Sequence, residues 1–198
     1  MDLRNLIETH LDLPRLSADL DDLGPPGRLW AVQQWTRADM AVLWDAAQGF
    51  RPLTLDDFVP PTVAPLVEVI HWGKNSMPFA TYFEKRFCRA VAASGEPRII
   101  GYNEQPFAGL TGPGYYVGCP SEPLDEVALD YTIVPEEVPP TWPPVRSNSD
   151  RLGRWVYAGL VDIMRGLSSH VTIGRVKRNG TWHDQWFVLV RRDRASPS

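Results

Sequence analysis

Residues 170–190 read HVTIGRVKRNGTWHDQWFVLV, and this stretch decides the fold class. Asn179 and Gly180 separate two segments rich in β-branched and aromatic residues, and an Asn-Gly pair there is the strongest short-range signal for a two-residue β-hairpin. Counting outward from such a turn predicts that Arg175 lies opposite Asp184. Both faces of the hairpin are apolar far from the turn, so we expect it to lie inside a sheet.

Four upstream segments have the short β-branched or alternating composition of strands. They span residues 66–72, 98–104, 114–118 and 126–134. The last segment alternates clearly, because one face would carry only apolar residues: Val127, Leu129, Tyr131 and Ile133. This period of two is typical of a sheet with one drier side.

Three helical regions are predicted around these strands. Residues 1–50 look helical, with a break near residues 36–39 and Gly49 in the position of a left-handed helix end. A second helix would follow the first strand from Ser76, with one face made of residues at four-residue steps: Phe79, Phe83, Phe87 and Val91. A third would be capped within residues 147–150 and bury Leu152, Trp155, Val156, Leu160, Ile163 and Leu167.

These elements predict an α+β fold with a mostly antiparallel sheet of five to six strands. An N-terminal helical segment, residues 1–50, would precede an α+β domain, residues 51–198, in one compact unit. One helix would follow the first strand, and another would precede the C-terminal hairpin.

Composition restricts the classes of partner that the protein could bind. The formal net charge is −4 and the pI about 5.6, so no basic field exists to hold nucleic acid. No signal peptide, membrane span or metal-ligand spacing is recognised, and Cys88 and Cys119 form no disulfide framework. These features favour a cytoplasmic protein without a membrane or nucleic-acid partner, which could form a homo-oligomer; they do not identify a cofactor.

The candidate catalytic residues are His71, Glu104 and Asp130. His71 ends a predicted strand before a polar turn, and such junctions place functional groups at the rim of a sheet. Glu104 ends the strand that follows the predicted helix, and a crossover of that kind would bring it to the same rim as His71. Asp130 lies within a strand and could orient His71; Asp162, on the predicted third helix, is expected to form an ion pair with Arg165.

The candidate ligand-binding residues surround the same rim: Trp72, Asn75, Asn103, Tyr115 and Tyr116. The last two belong to residues 109–118, GLTGPGYYVG, whose glycines permit positive φ and close approach. This segment is either the wall of a pocket or a tight connection between two strands.

Three functions are compatible with these residues. The first is a small-molecule-binding domain with an aromatic pocket. The second is a metal-independent hydrolase, lyase or isomerase that uses His71 as general acid or base. The third is an interaction protein with an aromatic, proline-rich partner surface.

Overall fold

A computed structural model describes residues 3–8, 11–78, 81–91, 95–104, 113–121, 125–145 and 157–192. Eight antiparallel strands form a closed barrel, in which each strand pairs with its neighbours in sequence and β8 closes onto β1. The strands are β1 (Val69–Asn75), β2 (Tyr82–Val91), β3 (Pro97–Glu104), β4 (Tyr115–Ser121), β5 (Glu126–Asp130), β6 (Leu160–Gly166), β7 (Val171–Arg178) and β8 (Thr181–Arg191). The expected α+β fold with a sheet of five to six strands is therefore wrong.

The helix predicted after the first strand is in fact β2. Phe83 and Phe87 stand four residues apart, and a spacing of four fits the period of a strand as well as one turn of a helix. In β2 both rings point into the barrel, where they pack with other interior side chains. Phe79 lies outside the described residues.

The helix predicted before the hairpin is replaced, from Leu160 onward, by β6. Its apolar residues lie on both faces, because one face lines the barrel and the other is covered from outside. A strand that is buried on both sides has no period of two, and its apolar run resembles a buried helix. Residues 147–156, which include the predicted cap, lie outside the described residues.

The C-terminal hairpin is confirmed. β7 and β8 are joined at Asn179 and Gly180, whose φ angles are 48° and 79°. The positive φ at both turn residues is the geometry that an Asn-Gly pair supplies. β7 also pairs with β6 and β8 with β1, so both strands lie inside the sheet as expected.

The predicted register of this hairpin is wrong beyond the first residues. Lys177 pairs with Trp182 as expected, but a bulge follows and Arg175 then pairs with Trp186. Asp184 lies within the bulge and still accepts a hydrogen bond of 3.2 Å from the Arg175 guanidinium. The turn sets the register only where the strands continue without an inserted residue.

Helices occupy the N-terminal region, as expected for residues 1–50. They are α1 (Arg4–Glu8), α2 (Leu13–Asp22), α3 (Pro25–Gln33) and α4 (Arg37–Ala46), and the short α5 (Leu55–Phe58) follows. Thr36 forms a capping box with Asp39 at the start of α4. The boundary between α3 and α4 therefore lies at the break predicted near residues 36–39. The helices bury their apolar faces against the outer wall of β7, β8 and β1.

Side chains from α4 and the barrel are also joined by polar contacts. The Arg165 guanidinium donates to Glu126 at 2.6 Å and to the carbonyl of Trp44 at 2.8 Å, with its centre 3.8 Å from the Trp44 ring. Arg165 thus points outward, whereas Asp162 points into the barrel. Residues three apart in a strand lie on opposite faces, so the expected Asp162–Arg165 pair does not form.

The two ends of the barrel differ. Residues 53–63, including α5, cover one end, where Phe58 is fully buried against His71 and Phe87 with ring centroids 5.7 Å and 5.2 Å away. The other end is formed by the ends of β1, β3, β5 and β7 and by the starts of β2, β4, β6 and β8. At this second end, the side chains of the described residues leave part of the interior unfilled.

Candidate functional site

The unfilled end of the barrel forms a cavity of about 290 Å³, called here the mouth cavity. Apolar and aromatic side chains form most of its wall: Met77, Phe83, Tyr131, Tyr157, Leu160, Val176 and Phe187. Polar side chains complete it: Asn75, Lys85, Asn103, Asp162, Arg178 and Gln185. An aromatic wall with a few directed polar groups is the usual composition of a small-molecule pocket.

Aromatic pairs stand on both sides of the mouth cavity. The rings of Phe83 and Phe187 meet edge to face, with centroids 5.9 Å apart. The rings of Tyr131 and Tyr157 are stacked nearly parallel, with centroids 5.4 Å apart and an interplanar angle of 8°. Side chains with two rotatable bonds provide a rigid apolar surface at low entropic cost.

Lys85 is the most unusual residue of the cavity, because it is a charged side chain on the inner face of β2 and only 2% exposed. Its ammonium group donates three hydrogen bonds, to Oδ1 of Asn103 at 2.8 Å, to Oδ2 of Asp162 at 3.0 Å and to the hydroxyl of Tyr131. An ammonium group has three hydrogens, so each of them has a partner. The charge of Lys85 is therefore both paired and fully hydrogen-bonded, as burial requires.

Lys85, Asn103, Tyr131 and Asp162 form one connected network, called here the polar cluster. The Tyr131 hydroxyl donates to Oδ2 of Asp162 at 3.1 Å and accepts a hydrogen bond of 3.0 Å from Nδ2 of Asn103. The Lys85 nitrogen also lies 4.7 Å from the ring centroid of Tyr116, which packs beneath the cluster. The four residues belong to β2, β3, β6 and the segment directly after β5, so the barrel backbone holds the network in place.

Burial governs the protonation of the polar cluster. It lowers the pKa of Lys85 from the ordinary lysine value, and the nearby Asp162 carboxylate opposes this shift without reversing its direction. Burial also raises the pKa of Tyr131 well above its ordinary value, and the negative charge of Asp162 adds to that effect. Tyr131 is therefore a neutral phenol near neutral pH, and Lys85 is an amine whose proton is more easily lost than usual.

His71 is buried in the barrel interior but does not line the mouth cavity. Its Nε2 donates a hydrogen bond of 2.9 Å to the carbonyl oxygen of Phe58, at the end covered by α5. Burial lowers the pKa of His71 to about 3, with smaller contributions from Arg191, His170 and Lys85. The imidazole is thus neutral, and the structure places it in the closed end of the barrel.

The other two candidate catalytic residues lie on the outside. Glu104 is exposed and accepts a hydrogen bond of 3.3 Å from Tyr102. Asp130 ends β5 and accepts from the backbone nitrogen and hydroxyl of Thr132, at 2.7 Å and 2.6 Å. His71, Glu104 and Asp130 are therefore not brought together.

The candidate ligand-binding residues divide between the two faces of the wall. Asn75 and Asn103 both point inward and line the mouth cavity. They lie at the same end of the barrel because β1 and β3 run in the same direction on either side of β2. This common direction was expected, although a strand rather than a helix lies between them. Trp72 points outward and lines a separate outer groove beside α3.

The two adjacent tyrosines point to opposite faces of β4. Tyr116 is inside the barrel, and its hydroxyl donates to the carbonyl of Arg86 at 3.2 Å. Tyr115 is outside, where it donates to the carbonyl of Pro143 at 2.5 Å and packs near Trp142. Both are fully buried, and residues 109–112 of the glycine-rich segment lie outside the described residues.

Sequence reasoning missed Lys85 and assigned Asp162 to a helix. In each strand the residues two positions away are apolar: Phe83 and Phe87 flank Lys85, as Leu160 and Met164 flank Asp162. A charged residue at the centre of an alternating apolar face signals a functional position, but only once the segment is assigned as a strand.

Within the described ranges, no three His, Cys, Asp or Glu side chains cluster so as to hold a metal ion. Among the same residues, no helix has the length and apolar character needed to cross a membrane. Comparison of the chain with protein-family models, with curated proteins and with solved structures finds no match.

Proposed function

We propose that the barrel binds one small, uncharged molecule in the mouth cavity, with an apolar or aromatic body between the rings and a polar group against the polar cluster. The observation that carries this proposal is that a buried, fully hydrogen-bonded ion pair faces a cavity that the side chains of the described residues leave unfilled. Closed barrels of eight strands have interiors just wide enough to be filled by side chains or to hold one small ligand.

Size and charge define the ligand class further. A volume of about 290 Å³ lies at the lower end of the range for small-molecule pockets, which suits a compact molecule of about one or two rings. Lys85 and Asp162 together carry no net charge, so the floor of the cavity has no excess charge to attract an ion. The polar cluster therefore fits a hydroxyl, carbonyl or amide group better than an anionic group, and Arg178 adds a cation elsewhere on the cavity wall.

The alternative of an acid–base enzyme centred on His71 has less support, because the neutral imidazole lies in the closed end of the barrel. The alternative of a partner surface in the proline-rich segment also has less support. Trp142 of that segment is buried against the barrel, and its indole nitrogen donates to Glu68 at 2.7 Å.

Titration with 2-naphthylmethanol, a neutral bicyclic alcohol, tests the proposal by intrinsic fluorescence and calorimetry. We expect saturable binding of one molecule per chain with a Kd on the order of 10 to 100 μM, given the small number of ligand atoms. Val176→Trp places a large ring in the cavity and should weaken binding at least about tenfold, a loss of about 1.4 kcal/mol. Val42→Trp, on the exposed face of α4, is the matched control and should bind as the wild type does.

Both variants are first compared with the wild type by circular dichroism, so that loss of binding is not confused with loss of fold. Equal binding by wild type and Val176→Trp would place the alcohol elsewhere on the protein. Absence of saturable binding to the folded wild type would also contradict the proposal.

A further inference from the structure

We propose that Lys85 is a nucleophile that forms an imine with a small aldehyde or ketone held in the mouth cavity. This inference rests on the proposed binding function and adds a covalent step to it. Its basis is the juxtaposition of an amine, a carboxylate and a phenol at the floor of an apolar cavity: Lys85, Asp162 and Tyr131.

Each of these three groups has the position that the reaction requires. The amine nitrogen of Lys85 lines the cavity and lies 3.0 Å from Oδ2 of Asp162, which can accept its proton. The Tyr131 hydroxyl lies within hydrogen-bond reach of both groups and can pass a proton to the carbonyl oxygen. A nucleophile in contact with a base and with a third orienting group is the general pattern of covalent catalysis.

Burial makes the neutral amine form of Lys85 easier to reach. Removal from water disfavours the ammonium form of Lys85, and the 3.0 Å hydrogen bond to Asp162 gives its proton a direct path to an acceptor. The lowered pKa of Lys85 is in the direction that such activation needs. The rings of Tyr116 and Phe187, 4.7 Å and 5.2 Å from the nitrogen, favour a cationic iminium product by the same attraction that they exert on the ammonium.

The atoms and charges of this step balance. The Lys85 ammonium gives one proton to Asp162, the nitrogen lone pair then forms a bond to the carbonyl carbon, and the carbonyl oxygen becomes a hydroxyl by taking a proton. The carbonyl oxygen receives that first proton from Asp162 through Tyr131. The nitrogen then gives a second proton to Asp162, which returns it by the same path to the hydroxyl, so that water leaves and the nitrogen lone pair forms the C=N bond. The net change is one ammonium and one carbonyl group giving one iminium ion and one water, with Asp162 again ionised as the counterion.

The sequence makes this inference easy to test, because the chain contains only three lysines. Lys74 donates to the carbonyl oxygens of Gln33 and Trp35 at 2.5 Å each, outside the barrel. Lys177 lies over the outward-facing ring of Trp182, with its nitrogen 5.2 Å from the ring centroid. In the described structure, neither nitrogen is hydrogen-bonded to a carboxylate or a phenol, so both lysines serve as internal controls.

The experiment treats the full chain with 2-naphthaldehyde and cyanoborohydride, which reduces an iminium ion to a stable amine. Intact mass and peptide mapping then locate the naphthylmethyl group. We expect one group per chain, with at least about tenfold more label on Lys85 than on Lys74 or Lys177. Excess 2-naphthylmethanol should compete, because it occupies the same cavity without reacting.

Variants separate the roles of the cluster. Lys85→Arg keeps a cation beside Asp162 and should lose the label, whereas Lys177→Arg should keep it. Asp162→Asn removes the proton acceptor and should slow labelling of Lys85 by about 100-fold. The site assignment on the wild type needs no variant, so it stands even if one of these proteins does not fold.

Two outcomes would overturn the inference. Label confined to Lys74, Lys177 or the N-terminal amine would show that Lys85 is not the nucleophile. Binding of the alcohol without any trapping of the aldehyde on Lys85 would remove the covalent step and leave the binding function intact. Failure of the alcohol itself to bind would instead count against the proposed function.

Discussion

The ammonium nitrogen of Lys85 lies 3.0 Å from Oδ2 of Asp162, although the residues are 77 positions apart and stand on β2 and β6, opposite strands of the barrel. The ion pair therefore crosses the interior and joins two walls that share no backbone hydrogen bond. Both side chains are nearly inaccessible to water, so each charge depends on the other.

Replacing Lys85 by Met should lower the free energy of unfolding by about 3 to 5 kcal/mol, because it leaves the Asp162 carboxylate buried without its partner. The double variant Lys85→Met with Asp162→Leu should recover most of this loss, since it buries no charge. Urea denaturation of the wild type, the two single variants and the double variant measures the coupling. Arg15→Met, which removes a long pair between an exposed arginine and the partly buried Asp19, is the control and should cost less than about 1 kcal/mol.

Equal destabilisation by Lys85→Met and by the double variant would contradict this account. It would mean that the lost packing, and not the unpaired charge, determines the stability of this part of the barrel.

The stability of the protein should depend on pH through His71. The pKa of this histidine is about 3 in the folded chain and 6.5 when exposed, so between these values only the unfolded chain takes up the proton. The contribution of His71 is therefore fully present above about pH 6.5 and is lost as the pH falls, by up to about 1.4 kcal/mol per pH unit.

Urea unfolding of wild type and His71→Gln between about pH 7 and pH 4 tests this dependence. Glutamine can donate to the Phe58 carbonyl but does not titrate, so the variant should lose less stability on acidification than the wild type. Parallel curves for the two proteins would show that His71 becomes protonated without unfolding.

Gly101 is required by close packing inside the barrel. A Cβ atom there would lie 2.2 Å from the backbone oxygen of Arg86 and 2.5 Å from the hydroxyl of Tyr116. Gly101→Ala should cost about 1 to 3 kcal/mol, because the backbone of the neighbouring strand must move. Gly24→Ala, where a Cβ meets no atom within 4 Å, is the matched control and should change the unfolding midpoint much less. Similar midpoints for the two variants would show that the strands separate easily at Gly101.

Cys88 should be unreactive in the folded protein. It is fully buried beside Trp142 on the outer wall, and burial raises the pKa of its thiol to about 12, so little thiolate is present. Ellman's reagent at about pH 8 should detect both cysteines after unfolding in urea without reductant, but not Cys88 in the folded state. Trp142→Ala should expose Cys88 and increase its rate of reaction. Rapid reaction of Cys88 in the folded wild type would show that the segment around Trp142 opens readily.

The sequence by itself determined the features that depend on neighbouring residues. The capping box of Thr36 and Asp39 and the turn at Asn179 and Gly180 are local, because the residues that form the hydrogen bonds or adopt positive φ are adjacent or nearly so in sequence. The alternation of Val127, Leu129 and Tyr131 is also local, and the structure places all three side chains in the barrel interior. The strand at Glu126–Asp130 and the hairpin of β7 and β8 could be predicted for this reason.

Only the tertiary structure decided which apolar segments became β2 and β6. The four-residue step from Phe83 to Phe87 is compatible with a helix or a strand, and burial of β6 on both faces removes its alternation. The choice is made by hydrogen bonding to the neighbouring strands and by closure of β8 on β1, which join residues distant in sequence. The same closure brings Lys85 and Asp162 together across the interior, because their distance depends on the circumference of the whole barrel and not on any local pattern.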